Sequence, residues 1–129
     1  MSGAVIDASA LIALLLGEPG ADTVRSALPD ATMSTVNYAE IVGFFARNGA
    51  TDDAIHALLN PLPIQLAPLD IALAYAAGML LPATRRAGLS LGDRACLALA
   101  LRLGVPALTA DRAWSDIADT IGVKVTLIR

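Results

Sequence analysis

The chain has 129 residues, 56% of them hydrophobic and 16% charged, with a net charge of −3. That composition supports one domain with a real core and excludes a disordered or highly solvated chain. The single cysteine, Cys96, excludes an internal disulfide and fits a reducing, cytoplasmic setting, where it reads as a small buried hydrophobe.

Residues 3–6 read as a first strand and 9–16 as a helix closed by Gly17-Glu18-Pro19-Gly20. A second helix over 21–28 ends at Pro29. A strand covers 31–34, a helix 35–48 stops at Gly49, and another over 51–59 is capped by Thr51, with Asp52 and Asp53 at its positive end. Residues 63–68 read as a strand between prolines. Residues 70–81 are helical behind Asp70 as cap, and 90–103 are helical up to Gly104. Strands at 105–109 and 123–128 flank a short helix around 112–118. Strands separated by helices predict an α/β domain spanning 1–129, with a parallel sheet covered on both faces. Ligands of such sheets bind beyond the carboxyl ends of the strands, where strand order reverses. The apolar run 8–16 is too short to span a membrane, and no basic residue precedes it as in a secretory leader.

Four acids stand out against this oily background. Asp7 and Asp111 each follow a predicted strand and are expected at the carboxyl edge. Glu40 lies in the helical row Val36, Glu40, Phe44, and Asp93 in the row Asp93, Leu97, Ala100, which puts both on apolar faces. A buried carboxylate is normally paired or metal-bound, and these four lack basic partners, so together they point to a divalent cation. Crowding is expected to raise their pKa values mutually. Each acid also has a local reading. Asp7 can cap a helix, although Ser9 would serve equally and free Asp7 to face outward. Glu40 can be a solvated helix residue. Ser90-Leu91-Gly92-Asp93 is similar to a capping box whose shorter acid predicts a poorer reciprocal bond. Asp111 can cap the helix that follows, and Asp116, a fifth candidate, reads as surface. Setting the four aside leaves eight acids against nine bases, so the acidic balance does not exclude a phosphate-bearing substrate.

The segments carrying these acids resemble those of PIN-domain ribonucleases, and closely the VapC toxins of type II toxin–antitoxin pairs. Val5-Ile6-Asp7-Ala8-Ser9-Ala10-Leu11 is similar to the opening motif and Tyr38-Ala39-Glu40-Ile41 to the second. Gly88-Leu89-Ser90-Leu91-Gly92-Asp93-Arg94-Ala95-Cys96-Leu97-Ala98-Leu99-Ala100 resembles the third, the most specific. Leu108-Thr109-Ala110-Asp111-Arg112-Ala113-Trp114 resembles the fourth, so the likeness runs nearly the whole length. It implies a three-layer α/β/α PIN-like fold with a mostly parallel sheet of four to five strands. It implies Mg²⁺ or Mn²⁺ held by Asp7, Glu40, Asp93 and Asp111. Asp116 corresponds to an acid present in only some members, and Ser9 and Thr109 to small hydroxyl residues beside the acids. It further implies an RNA substrate, transfer RNA at family level, a cognate VapB-like antitoxin and a homodimer.

The activity expected is metal-dependent endonucleolytic cleavage of RNA. Asp7, Asp93 and Asp111 would hold the main ion, and Glu40 would orient the attacking water or help hold a second ion. Arg85 and Arg86, and Arg94 and Arg112, which follow acids directly, are candidates to contact substrate phosphates or else solvated or salt-bridged arginines, and Arg94 or Arg112 can instead balance the acid cluster. The apolar helices over 9–16 and 39–45 are candidate antitoxin or dimer contacts. His56, the sole histidine, lies outside these motifs and is expected on a helix surface, which disfavours a histidine-based ribonuclease. Two other readings stay open, a PIN nuclease without an antitoxin and a non-enzymatic phospho-acceptor domain. The second needs paired acids after the first strand and a lysine after a late one, whereas Asp7 stands alone and Lys124 is the only lysine.

Overall fold

The computed structural model describes residues 3–129. Among them, β1 (Ala4–Ile6) leads into α1 (Ala8–Leu16) and α2 (Ala21–Ala27), then β2 (Ala31–Ser34), α3 (Thr35–Arg47) and α4 (Asp52–Leu59). Next come β3 (Gln65–Ala67), α5 (Ile71–Met79), α6 (Leu81–Thr84), α7 (Leu91–Leu103), β4 (Ala107–Thr109), α8 (Ala118–Ile121) and β5 (Val125–Leu127). The five strands form one sheet in the order β3-β2-β1-β4-β5, and every pairing is parallel.

Alternation along the strands splits the core into two. Ala4 and Ile6 of β1 and Leu108 of β4 face a cluster with Leu11, Val24, Ile41 and Ile55, from α1 to α4. Val5 and Ala107 face the other way, against Leu73 and Ala77 of α5, Leu97 and Leu99 of α7, and Trp114. Burial on both faces explains why these strands read as continuous apolar runs. The result is a three-layer α/β/α domain, as the sequence predicts. No helix among the described residues is long and apolar enough to cross a membrane.

Several expected boundaries move for physical reasons. The helix expected over 70–81 ends at Met79, and a separate α6 begins with Pro82 in its first turn, since proline lacks the N–H that continued pairing needs. The helix expected around 112–118 is a 3-10 turn over Arg112–Asp116 followed by α8. Thr51 and Asp70 cap their helices as expected, accepting from the amides of Ala54 and Leu73. Asp70 is also gripped by Arg102 of α7 at 2.8 and 3.1 Å, and those hydrogen bonds bring its carboxyl down to about 2. That ion pair ties the start of α5 to the end of α7.

The turn into α2 leaves no room for a side chain. Gly20 has φ +96, and a Cβ there would stand 2.5 Å from the Ile128 carbonyl oxygen. Gly17 has φ +67 but open space around it. Gly20→Ala should therefore cost about 2–4 kcal/mol, from left-handed strain plus overpacking, against about 1 kcal/mol for Gly17→Ala. Urea denaturation of the two variants checks this; equal midpoints would contradict the contact.

Candidate active site

The sheet order reverses beside β1, which has β2 on one side and β4 on the other. Asp7 leaves the carboxyl end of β1 and Asp111 follows β4 by two residues, so both lie at the edge where such sheets bind ligands.

Asp7 is only 4% exposed. It is the N-cap of α1, and its Oδ1 accepts from the Ala10 amide at 2.8 Å. Ser9 is not the cap. Its hydroxyl donates instead to both Asp7 oxygens, at 2.8 and 2.9 Å. Thr109 Oγ1, at the end of β4, donates to Asp7 Oδ2 at 2.6 Å. The same two hydroxyls accept from backbone amides, Ser9 from Ala110 and Thr109 from Asp111, both at 3.0 Å. The exits of β1 and β4 are thus tied through one carboxylate.

The other acids are more open. Asp93 completes the capping box of α7: Ser90 Oγ accepts from the Asp93 amide, and the Ser90 amide donates to Asp93 Oδ2 at 2.9 Å. The reciprocal bond has ordinary length despite the shorter acid. Asp111 Oδ1 accepts from the Ala113 amide at 3.0 Å as N-cap of the 3-10 turn, which Trp114 anchors in the core. Glu40 departs from expectation. The buried row of α3 is Asn37 and Ile41, so Glu40 is exposed on its flank rather than on an apolar face. Its Oε1 accepts from Asn37 Nδ2 at 2.8 Å, and its carboxylate lies over Gly92 in the first turn of α7.

Convergence is visible at Cys96, fully buried in α7. Its thiol is pushed well above the ordinary range by burial first, then by the charges of Asp7, Asp93 and Glu40. Those three carboxylates therefore share one neighbourhood, and Asp111 joins it through Thr109. Among the described residues, however, no three Asp, Glu, His or Cys side chains stand close enough to hold one ion in common. The donors are all hard oxygens, suited to Mg²⁺ or Mn²⁺. Among the described residues, Asp93 Oδ1, Asp111 Oδ2 and Glu40 Oε2 take no hydrogen-bond donor. On Asp7 the one Ser9 proton is shared between both oxygens, which leaves lone-pair capacity. The chemistry of this donor set suits a divalent cation, which Asp7, Asp93, Asp111 and Glu40 would hold.

The remaining candidates separate. Arg94, half-buried, turns away and donates to the Ala77 carbonyl of α5 at 3.0 Å; its position next to Asp93 in sequence misleads because adjacent helix residues point about 100° apart. Arg85, Arg86, Arg112 and Asp116 are exposed. His56 is an exposed residue of α4, 3.5 Å from Asp52. Lys124 precedes β5 and so stands at the amino edge of the sheet, opposite Asp7, which removes the support for a phospho-acceptor arrangement. Cavities of about 300 Å³ also lie at that amino edge, lined by residues such as Val105, Pro106 and Lys124. Asn37 and Gly92 were not singled out as functional by the sequence; the available signal was a polar residue in the buried row of α3 and a glycine inside a helix.

Burial raises the Asp7 carboxyl from 3.8 to about 6, against the lowering effect of hydrogen bonds from Thr109, Ala10 and Ser9, with Asp93 adding a smaller push. Desolvation, not crowding, dominates. The folded protein thus favours protonated Asp7. The stability tied to that proton is fully present below 3.8 and is lost as pH rises through about 6. With chelator present, stability should fall by about 2 kcal/mol between pH 4.5 and 7.5, and Asp7→Asn should flatten the fall. Urea titrations at pH 4.5 and 7.5 measure this; an identical slope in both proteins would contradict the assignment.

The PIN domain family model matches residues 4–120. No protein of curated function matches the chain in sequence. Among solved structures, a DNA-bound VapBC from Salmonella typhimurium is similar with a TM-score of 0.76 and 12% identity, covering 100% of each chain. A toxin–antitoxin complex from Klebsiella pneumoniae has a TM-score of 0.73 and 18% identity, with 98% of each chain covered. VapC20 from Mycobacterium tuberculosis, a sarcin–ricin loop cleaving toxin, has a TM-score of 0.68 and 15% identity, covering 88% of this chain and 95% of its own. At such identities the likeness is one of fold.

Proposed function

The chain belongs to the PIN-domain family, and from that membership we propose that it is a Mg²⁺- or Mn²⁺-dependent endoribonuclease of the toxin type, restrained by a cognate VapB-like antitoxin. The observation that supports this reading is the buried Asp7 carboxylate at the carboxyl edge, tied through Ser9 and Thr109 to the start of the Asp111 segment, with Asp93 and Glu40 acting with it on the Cys96 thiol.

Asp7, Asp93 and Asp111 would hold the ion, with Glu40 beside the first turn of α7 to orient a water or support a second ion. A bound divalent ion supplies Lewis-acid neutralisation of charge on a phosphodiester under attack. Because burial raises the Asp7 carboxyl to about 6, loading below that pH would require it to give up a proton, so binding would weaken in acid. Ser9 and Thr109 fix the rotamer of Asp7 and hold the Asp111 backbone against it. The exposed Arg112, Arg85 and Arg86 are available to RNA phosphates, which Arg94 is not. Transfer RNA is the substrate class favoured by family.

For partners, α1 and α3 offer the antitoxin an apolar surface in which Leu16 is exposed and Phe44 and Phe45 are half-buried. A second copy has the uncharged outer face of α5, where Ile71 is 90% exposed and Tyr75 and Met79 also face out. Tyr75→Glu should yield a monomer in sedimentation velocity; an unchanged coefficient would place the dimer contact elsewhere.

Asp7→Asn and Asp93→Asn should each lower RNA cleavage in Mg²⁺ or Mn²⁺ by at least about 100-fold while the circular dichroism spectrum stays native, as expected when an ion's direct ligand is lost. Mapping new RNA 5′ ends after inducible expression, with and without the adjacent small gene, tests toxin class and substrate together. Full metal-dependent activity in purified Asp7→Asn would reject the site.

A further inference from the structure

Asn37 is 1% exposed, yet it is polar and sits in the core-facing row of α3. Its Nδ2 donates twice, to Glu40 Oε1 at 2.8 Å and across to the Gly92 carbonyl of α7 at 3.1 Å. Both partners are pure acceptors, so the amide orientation is fixed: the flipped form would set oxygen against two oxygens. Its Oδ1 has no partner among the described residues. A buried amide that leaves an acceptor unpaired is costly, and a nonpolar residue would fill the same space without that cost. Something other than core packing therefore accounts for Asn37.

Gly92 explains the other half. A Cβ built there would stand 2.5, 2.6 and 2.7 Å from the Oε2, Oε1 and Cδ atoms of Glu40. The Glu40 carboxylate occupies the space a side chain would fill, one residue before Asp93. No backbone blocks that space, so an alanine would displace only the mobile end of Glu40.

We propose that Asn37 is a positioning residue whose carboxamide holds the Glu40 carboxylate on the bare glycine step of α7, so that α3 and α7 deliver Glu40 and Asp93 as one unit. This rests on the metal-nuclease reading for its functional consequence, though not for the contact itself. Supporting residues of this kind alter metal affinity or activity by roughly 10–100-fold when removed.

The test has two arms. In the metal-free protein, ¹H–¹⁵N spectra should show the Asn37 side-chain amide protected from exchange and displaced by Glu40→Ala; an indifferent amide overturns the proposal. In the loaded protein, Asn37→Ala should raise the Mn²⁺ midpoint of thermal stabilisation and lower cleavage, each by roughly 10–100-fold. Added to Glu40→Ala it should do nothing further, and a full additional loss would overturn the proposal. Gly92→Ala should mimic Asn37→Ala while its Tm is kept or raised, since alanine favours the helix; unchanged Mn²⁺ affinity and cleavage there would also overturn it. If the wild-type protein neither binds Mn²⁺ nor cleaves RNA, the nuclease reading fails, and the spectroscopic arm alone decides whether the clasp exists.

Discussion

The acidic edge is organised by one hydrogen-bonded knot, in which Thr109 and Ser9 hold the Asp7 carboxylate between the exits of β1 and β4. Removing a carboxylate from water is unfavourable by several kcal/mol, and here three donors offset only part of that cost. The choice of hydroxyl residues follows from their dual character. Each takes a backbone amide on one side and gives its proton to Asp7 on the other, so polarity runs from the chain through the hydroxyl into the acid. Valine at 109 would keep the shape of the strand end, take from Asp7 its shortest hydrogen bond and leave the Asp111 amide without its acceptor.

Around that fixed carboxylate the other acids are held more lightly. Asp93 and Asp111 each spend one oxygen on a helix start and keep the other free, and Glu40 is steered from the side. Helix starts tolerate such anions because unpaired amides and the helix dipole favour negative charge. The site combines one buried carboxyl whose pKa burial raises with neighbouring acids that are more open to solvent.

The parts legible in the sequence are those set by short-range rules. An apolar run followed by an acid located Asp7 and Asp111, because a strand buried on both faces must be uniformly apolar and its first free residue marks the edge. Capping by Thr51, Asp70 and Ser90 followed from residue type. Glu40 was misplaced for a definite reason: rows 36-40-44 and 37-41 both satisfy helical spacing, and the apolar Val36 and Phe44 outweighed the polar Asn37. Only packing against α7, which brings residue 92 to residue 37, reveals which row is buried. Arg94 was misread by adjacency, since its neighbour Asp93 faces the edge while the guanidinium reaches α5. The helix expected over 70–81 stops directly before Pro82, and what it lacks is the short α6 that the proline helps to start.

The central strand draws its two neighbours from distant parts of the chain. Ala4 pairs with Ala31, but Val5 pairs with Ala107. A nascent chain emerging from the ribosome therefore carries Asp7 and Glu40 long before it owns the threonine that locks the first of them. Such non-local closure is slow and comes late in folding. A chain that stopped short of β4 would therefore hold the buried acid without its clasp, because the hydroxyl that grips Asp7 lies 102 positions further along.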